Sequence, residues 1–177
     1  MQLDRSLPMI HPPAKWKNFY FGGYYLRQTK MAKVDPGFRE AITYLNRTDI
    51  KPMCKTMDIL GGVKWRLNTK VLDTMEYIWS IGGQMGNIPK RYNDRAITPE
   101  MIKDAPFREK LKLLKEHQHN QEMHSLRSEW LLRLSIARSF RTIDTIYFPH
   151  NCDFRGRVYP IPPHLNHMGP DINRGML

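Results

Sequence analysis

Apolar residues recur at helical spacing along residues 55–79, which predicts one helix over this stretch. The adjacent Gly61 and Gly62 each cost a helix about 1 kcal/mol relative to alanine. We therefore expect the helix to bend there or to let another backbone come close, and the glycine-rich residues 80–90 to end it. The stripe consists of Met57, Leu60, Lys64, Leu67, Val71, Met75, Ile78 and Trp79.

A second and longer helical pattern runs from about Pro106 to Arg141, with no proline inside it. A helix of that length reaches about 50 Å at about 1.5 Å per residue. Its first half is charged and has few apolar positions. Its second half is amphipathic, with an apolar stripe formed by Leu126, Trp130, Leu134 and Ala137.

Three arginines, Arg127, Arg138 and Arg141, accompany this stripe at spacings of 11 and 14 residues, close to three and four helical turns. Each arginine taken singly is typical of a solvated side chain whose stem lies on apolar surface. Three on one line favour a row of phosphate contacts. We keep both interpretations.

Residues 7–30 cannot form a long helix, because Pro8, Pro12 and Pro13 interrupt it. The aromatic side chains of this stretch lie among basic ones, which permits a platform for base stacking. The alternative is that they pack an irregular segment against a core. The residues concerned are Trp16, Tyr20, Tyr24 and Tyr25, with Lys15, Lys17 and Arg27.

Proline positions predict two further short elements. A short helix over residues 36–49 begins at Asp35 and Pro36. Residues 89–108 are polar and proline-spaced, with a brief turn at Thr98 and Pro99, where threonine caps the helix start and proline takes its first position.

Two β-rich runs near the C-terminal end, residues 146–148 and 154–159, flank a turn at residues 149–151 and predict a hairpin. If residues 154–159 form a strand, Arg155 and Arg157 lie on one face, about 6.6 Å apart. The same alternation places Asp153 and Tyr159 on that face and Phe154, Gly156 and Val158 on the other.

Two interpretations of this arginine pair stay open. Rigid guanidinium groups suit phosphate oxygens, and a glycine between them is typical of close approach by a ligand. A charged edge strand that faces solvent, with Asp153 paired to Arg155, would have the same sequence.

Together these elements predict a mainly α protein with a small β component, an α+β fold. The 177 residues contain 28 Lys and Arg against 17 Asp and Glu, a net charge of +11, and the pI is about 9.8. Such a balance favours a polyanionic partner, with nucleic acid ahead of an anionic membrane surface. No apolar run is long enough to span a bilayer, so we expect no membrane partner.

The sequence favours no metal site. Cys54 and Cys152 are far apart, which predicts free thiols in a reducing compartment. His117, His119 and His124 have no cysteine or clustered carboxylate beside them, so we predict no zinc site. Three aspartates could in principle supply a carboxylate pair for metal-assisted phosphoryl transfer, but nothing in their spacing requires it. They are Asp144, Asp153 and Asp171.

Several blocks of the chain, in order, resemble the phage-type single-subunit RNA polymerases, and the mitochondrial enzymes of animals in particular. The block that carries most of the resemblance contains Asp-Phe-Arg-Gly-Arg at residues 153–157, within 147–160. The other blocks lie at residues 7–9, 12–13, 16, 22–23, 65–68, 70–72, 122–127, 134–135, 162–169 and 171–177.

The resemblance implies a right-hand polymerase. Residues 1–62 would be the end of its N-terminal domain, residues 63–142 a thumb-like helical region, and residues 143–177 the first strands of the palm. It also implies location in the mitochondrial matrix, although residues 1–9 have no character of a transit peptide.

In that family the Asp-x-x-Gly-Arg segment contacts the template and the RNA:DNA hybrid. Carried over, Arg155 and Arg157 would hold phosphates or sugars, and Gly156 would permit close approach. Phe154 would lie against the template with Tyr159 supporting it, and Asp153 would orient an arginine. The expected nucleic-acid-binding set is Asp153, Phe154, Arg155, Gly156, Arg157, Tyr159, Arg127, Arg138 and Arg141.

The family's metal-binding aspartates and its nucleotide-binding helix belong to motifs beyond Leu177, and a helix that begins at Asp171 suggests that the chain continues. The resemblance thus implies Mg²⁺ in the intact enzyme with no ligands in this chain, and no catalytic residue here, so the chain alone is expected to be inactive. The implied partners are a DNA template, an RNA:DNA hybrid, ribonucleoside triphosphates and mitochondrial transcription factors. The alternative function is a free-standing basic module that binds nucleic acid without catalysis.

Overall fold

The computed structural model describes residues 6–33, 49–93 and 95–177. The helix predicted over residues 36–49 lies outside the described residues except for its last position. The chain divides into two compact units. Unit 1 comprises Met1–Asn68 and Ile136–Leu177, and unit 2 comprises Thr69–Ser135.

Helices form 43% of the structure and strands 13%, which confirms the predicted mainly α fold with a small β component. The described helices are α1 (Lys51–Gly61), α2 (Thr69–Ser80), α3 (Pro99–Asp104), α4 (Phe107–Ser139) and α5 (Asp171–Gly175). Among them, none is long and apolar enough to cross a bilayer.

The strands of unit 1 form two small sheets. In the first, β1 (Ala14–Asn18) and β2 (Phe21–Gly23) are antiparallel. In the second, the central strand β4 (His150–Asp153) pairs in parallel with β3 (Ala32–Lys33) and antiparallel with β5 (Val158–Pro160). The N-terminal part of the chain therefore contributes a strand to the sheet that holds the C-terminal hairpin.

The core of unit 1 lies where α1 packs on β1 and β4. Met31 is fully buried at its centre, and both cysteines contact it. The Cys54 sulfur lies 3.6 Å from the Met31 sulfur, and the Cys152 thiol donates to the Met31 carbonyl at 3.4 Å. Both cysteines are free, as predicted, and burial raises the pKa of each thiol.

The aromatic side chains of the N-terminal segment anchor it to this core. Trp16 is 6% exposed and Phe19 is 1% exposed, so for Trp16 the packing interpretation is confirmed and a stacking platform is wrong. Two tyrosines fix the extended backbone by donating their hydroxyl groups, Tyr24 to the Leu7 carbonyl at 2.7 Å and Tyr25 to the Pro12 carbonyl at 2.8 Å.

The single helix predicted over residues 55–79 is wrong. The chain forms α1 up to Gly61 and α2 from Thr69, with an extended link between them. Within that link Trp65 exchanges two backbone hydrogen bonds with Ile146, at 3.0 and 2.9 Å, which a helix would not allow. The Phe148 backbone does lie beside Gly61, but a Cβ there would make only an ordinary van der Waals contact with its carbonyl oxygen, at 3.5 Å.

Unit 2 packs α2 and the following loop against α4. Trp79 of α2 and Trp130 of α4 are buried, with ring centroids 6.3 Å apart. Gly83 turns the loop with a φ of 74°, and a Cβ there would lie 2.2 Å from the Pro89 carbonyl oxygen. A side chain at this position would push the loop away, so the position requires glycine.

The long helix α4 spans 33 residues, which confirms the prediction from its uninterrupted pattern. Trp130, Leu134 and Ala137 of the predicted stripe are buried, whereas Leu126 is 50% exposed. The helix start predicted at Thr98 and Pro99 is also confirmed, because Pro99 opens α3.

Trp130→Ala should lower the free energy of unfolding by about 3–5 kcal/mol, because it removes a nearly fully buried indole and leaves a cavity beside Trp79. Leu131→Ala is the matched control, since Leu131 is the next residue of the same helix and is 46% exposed. Its effect should stay within about 0.5 kcal/mol. Urea denaturation followed by far-UV circular dichroism measures both, and equal losses would contradict the packing described for Trp130.

Candidate nucleic-acid interface

The Asp-Phe-Arg-Gly-Arg segment forms the turn between β4 and β5, which corrects the predicted hairpin. The sequence predicts the turn at residues 149–151, but His150 and Asn151 are buried in β4, where they pair with Pro160 and Tyr159. Residues 154–157 leave the sheet instead. Strand alternation and a 6.6 Å spacing therefore do not describe Arg155 and Arg157.

Asp153 folds this turn. Its Oδ1 accepts the backbone N–H of Arg155 at 2.8 Å and that of Arg157 at 3.0 Å. The backbone closes the same turn, with Asp153 N–H donating to the Arg157 carbonyl at 2.8 Å and Gly156 N–H to the Asp153 carbonyl at 3.1 Å. An aspartate that accepts from the following backbone is a common device for starting a turn.

Gly156 supplies the left-handed conformation that the turn needs, with a φ of 80°. No described atom would lie within 4 Å of a Cβ at this position. The glycine is therefore required by the backbone conformation, and the space beside it is open to an incoming group.

Three side chains project from the turn. Phe154 is 73% exposed, and the Arg155 guanidinium lies over its ring at 5.2 Å. Arg155 also lies near the carboxylate that folds the turn, with Nε 3.6 Å from Asp153 Oδ2. Arg157 is exposed. Tyr159 follows in β5, where it is half-buried opposite Asn151.

The pKa of Asp153 lies below its usual value. Desolvation acts to raise it, but the backbone hydrogen bonds from Arg157 and Arg155 and the charges of both guanidinium groups outweigh that effect. Asp153 is therefore a carboxylate at neutral pH. Both backbone N–H groups use its Oδ1, so its first role is to shape the turn.

An aromatic and histidine cluster lies at the base of the hairpin. The His167 ring stacks on Trp65 at 4.7 Å, and its centroid is 5.5 Å from that of Phe148 and 5.3 Å from that of His150. Burial lowers the pKa of both histidines, that of His150 to about 4 with a further contribution from His167, so both are neutral at neutral pH. The sequence analysis does not predict this cluster, because it assigns His150 to the turn. The Phe-Pro-His stretch beside a β-rich run is the feature of the sequence that could have indicated it.

The three arginines of the helical pattern do not all lie on a helix. Arg127 is half-buried on the unit 2 part of α4, and its Nη1 donates to the Lys90 carbonyl at 3.3 Å. Arg138 is exposed in the last turn of α4. Arg141 is exposed beyond Ser139, where α4 ends, so the helical spacing of 14 residues does not apply to it.

Among the described residues, no group of three or more His, Cys, Asp or Glu side chains could hold a metal ion. His117 lies instead with its Nε2 3.0 Å from Nε2 of Gln121, one helical turn along α4.

Comparison with known proteins identifies sequence relatives of the chain. Residues 1–62 match the family model described as DNA-directed RNA polymerase N-terminal. Over 97% of its length the chain is 38% identical to DNA-directed RNA polymerase 2, chloroplastic/mitochondrial, of Nicotiana sylvestris. It is 37% identical to the mitochondrial polymerase 1B and 36% identical to the chloroplastic polymerase 3B, both of Nicotiana tabacum. The chain spans 17–18% of the length of these relatives.

Asp153→Asn should destabilise the turn at neutral pH and have less effect in acid. The folded-state pKa is depressed, so the carboxylate stabilises the fold above the unfolded value of about 3.9. That contribution disappears as the pH falls through the folded value, because the proton then binds both states. Asparagine keeps an acceptor for the two backbone N–H groups but has no charge. Thermal unfolding of the native chain and the variant from neutral pH to about pH 3 should show their difference shrinking; a constant difference would contradict a charge-dependent turn.

Proposed function

Since the chain belongs to the family of phage-type single-subunit DNA-directed RNA polymerases, we propose that it is part of an organellar RNA polymerase. The observation that carries this proposal is the identity of 36–38% over 97% of the chain to polymerases of mitochondria or chloroplasts. The match extends through both structural units. Template-directed synthesis of RNA from ribonucleoside triphosphates is the activity proposed for the whole protein.

Within that protein, the proposed role of this chain is to hold the DNA template and the RNA:DNA hybrid at the Asp153 turn. The turn projects two guanidinium groups and an aromatic ring around a glycine with open space beside it. Guanidinium groups bind phosphate oxygens through two parallel hydrogen bonds, and an exposed ring can lie against a base or a sugar. Contacts of this kind position a nucleic acid without reading its sequence, as a polymerase requires.

The two arginines have different surroundings, which favours different roles. Arg155 is held between the Phe154 ring and the Asp153 carboxylate, so its orientation is restrained. The backbone of Arg157 is fixed by Asp153, while its side chain is exposed. We assign the direct phosphate contact first to Arg157, with Arg155 and Phe154 forming a wall beside it. Arg138 and Arg141 are further proposed contacts.

Catalysis is assigned to parts of the whole protein that this chain does not contribute. Mg²⁺ held by carboxylates neutralises charge on the attacking and leaving oxygens in phosphoryl transfer. Asp153 is a poor candidate ligand, because its Oδ1 accepts two backbone N–H groups and its Oδ2 faces Arg155.

We further propose a location in the mitochondrial matrix and an association with mitochondrial transcription factors. Support for the organelle comes from the relatives, of which some are named as mitochondrial and others as chloroplastic. The basic character of the chain, with its net charge of +11, suits a nucleic-acid partner.

Arg157→Ala should weaken binding of the chain to a short RNA:DNA hybrid about tenfold, a loss of about 1.4 kcal/mol. The plot of log affinity against log salt concentration has a negative slope. Loss of one phosphate contact should make that slope less negative by about 0.9. The effect should be equal for hybrids of unrelated sequence. Fluorescence anisotropy with a labelled hybrid over a series of salt concentrations measures both quantities.

Two variants serve as controls for that experiment. Lys110→Ala removes the same charge from an exposed position of α4, and it should change the affinity much less. Arg157→Lys keeps the charge without the planar donor pair, and it should retain part of the affinity. If Arg157→Ala and Lys110→Ala have equal effects, Arg157 is a solvated charge and the proposed hybrid contact is wrong.

A further inference from the structure

Unit 2 contains a cleft of about 750 Å³ that the proposed function of the Asp153 turn does not use. One wall is the loop of residues 84–95, and the other is the face of α4 over residues 115–127. All of its described lining residues belong to unit 2.

Two side chains of α4 attach the loop to the helix. Asn120 Nδ2 donates to the Arg95 carbonyl at 2.9 Å, and Arg127 Nη1 donates to the Lys90 carbonyl at 3.3 Å. The two attachments are seven residues apart on α4, about 10.5 Å at about 1.5 Å per residue. The loop is therefore attached to α4 at Lys90 and at Arg95.

Arg91 anchors the middle of the loop to the core of unit 2. Its N–H donates to the Gly82 carbonyl at 2.9 Å, and its guanidinium lies 5.8 Å from the centre of the buried Trp79 ring. The same guanidinium lies 5.4 Å from the centre of the Tyr92 ring. Tyr92 is thus restrained although it is 65% exposed.

Basic residues predominate among the charged residues that line the cleft. The described lining includes four lysine or arginine residues and one carboxylate residue, Glu116. Asp94, also in this loop, lies outside the described residues. The side chains of Gln84, Asn93 and Asn120 add amide groups. The basic residues are Lys90, Arg95, Lys115 and Arg127.

We propose that this cleft binds a single strand of nucleic acid, with successive phosphates along α4 and one base stacked on Tyr92. The basic residues on α4 alone, Lys115 and Arg127, are twelve positions apart, about 18 Å along the helix. That is too far for one phosphate group, so the spacing favours a polymer over a mononucleotide. A basic groove combined with an exposed, restrained aromatic ring is the arrangement by which proteins bind single strands.

An acidic peptide could also neutralise the lysines and arginines, but its Asp and Glu side chains have no aromatic face to stack on Tyr92, whereas every nucleotide has one. The single strand is therefore the better match. The proposal is independent of the Asp153 turn, because none of the residues of that turn lines the cleft.

The test compares two double variants of the full chain by fluorescence anisotropy. Each double variant replaces two basic residues with glutamine, so the two are matched in charge. The probes are labelled oligouridine and oligodeoxythymidine of about 12 nucleotides. Arg95→Gln with Lys115→Gln removes two charges from the cleft, whereas Lys110→Gln with Lys112→Gln removes two exposed charges of the same helix outside it. The double variant in the cleft should weaken single-strand binding at least about tenfold. It should also make the slope of log affinity against log salt concentration less negative by about 1.4, about 0.7 for each lost contact. Equal effects of the two pairs would overturn the proposal, and the ratio of the two probes distinguishes RNA from DNA.

Tyr92 tests the stacking contact. Tyr92→Ala should weaken binding at least about fivefold, while Tyr92→Phe, which keeps the ring face, should bind like the native chain. A labelled oligoglutamate peptide tests the alternative partner. An unchanged affinity of Tyr92→Ala, or peptide binding as tight as that of the single strand, would overturn the proposal.

If a variant fails to fold, crosslinking of the native chain still tests the proposal. Oligouridine that contains 4-thiouridine should crosslink under ultraviolet light to peptides from residues 84–95 or 115–127. Crosslinks confined to other peptides would overturn the proposal. A parallel titration of Arg157→Ala with the hybrid keeps the two proposals separate, because the cleft and the turn have different probes and different variants.

Discussion

Unit 1 depends on the backbone hydrogen bonds of one buried segment, residues 146–152. Buried N–H and C=O groups must be paired, and this segment finds its partners in distant parts of the chain. Trp65 bonds Ile146 in both directions, Met9 bonds Tyr147 in both directions, and the Met31 carbonyl accepts from Cys152. These pairings bring the N-terminal segment and the link after α1 onto the strand that leads to the turn. With β4 held in this way and β5 paired to it, residues 154–157 can project into solvent and keep a defined shape.

The sequence predicts elements whose causes are local. The long α4 follows from an uninterrupted helical pattern, and the start of α3 follows from the Thr98-Pro99 pair. The break between α1 and α2 has a distant cause. Trp65 falls within the stretch whose apolar spacing predicts one helix, yet its pairing with Ile146 satisfies two backbone groups that the buried segment would otherwise leave unpaired. Helical periodicity alone cannot reveal such a partner, because tertiary pairing overrides local propensity.

The hairpin shows the same limit within the candidate site. The β-rich run at residues 154–159 and the Pro-His-Asn stretch before it suggest a turn at the wrong place. Two residues decide otherwise: Asp153 accepts two N–H groups of the turn, and Gly156 adopts a positive φ. Both were visible in the sequence, but each also fitted the strand interpretation, in which Asp153 paired with an arginine and Gly156 admitted a ligand. The sequence therefore predicts which side chains project from the hairpin. It does not predict their arrangement, because the position of the turn depends on the pairing of His150 and Asn151 in β4.

The turn and the cleft share one physical arrangement, which changes how their polar residues are interpreted. In each, a conspicuous polar side chain fixes the backbone, and its neighbours face outward. Asp153 holds the turn, and Asn120 and Arg127 hold the loop of the cleft. In Arg127 one guanidinium nitrogen donates a hydrogen bond to the Lys90 carbonyl, which leaves the other N–H donors of the group for a phosphate. Truncating Arg127 would release the loop together with any such contact, so its effect on binding would combine two causes. Residues whose side chains line a preformed surface without holding it, such as Lys115 in the cleft and Arg157 at the turn, separate the binding of a phosphate from the folding of its site.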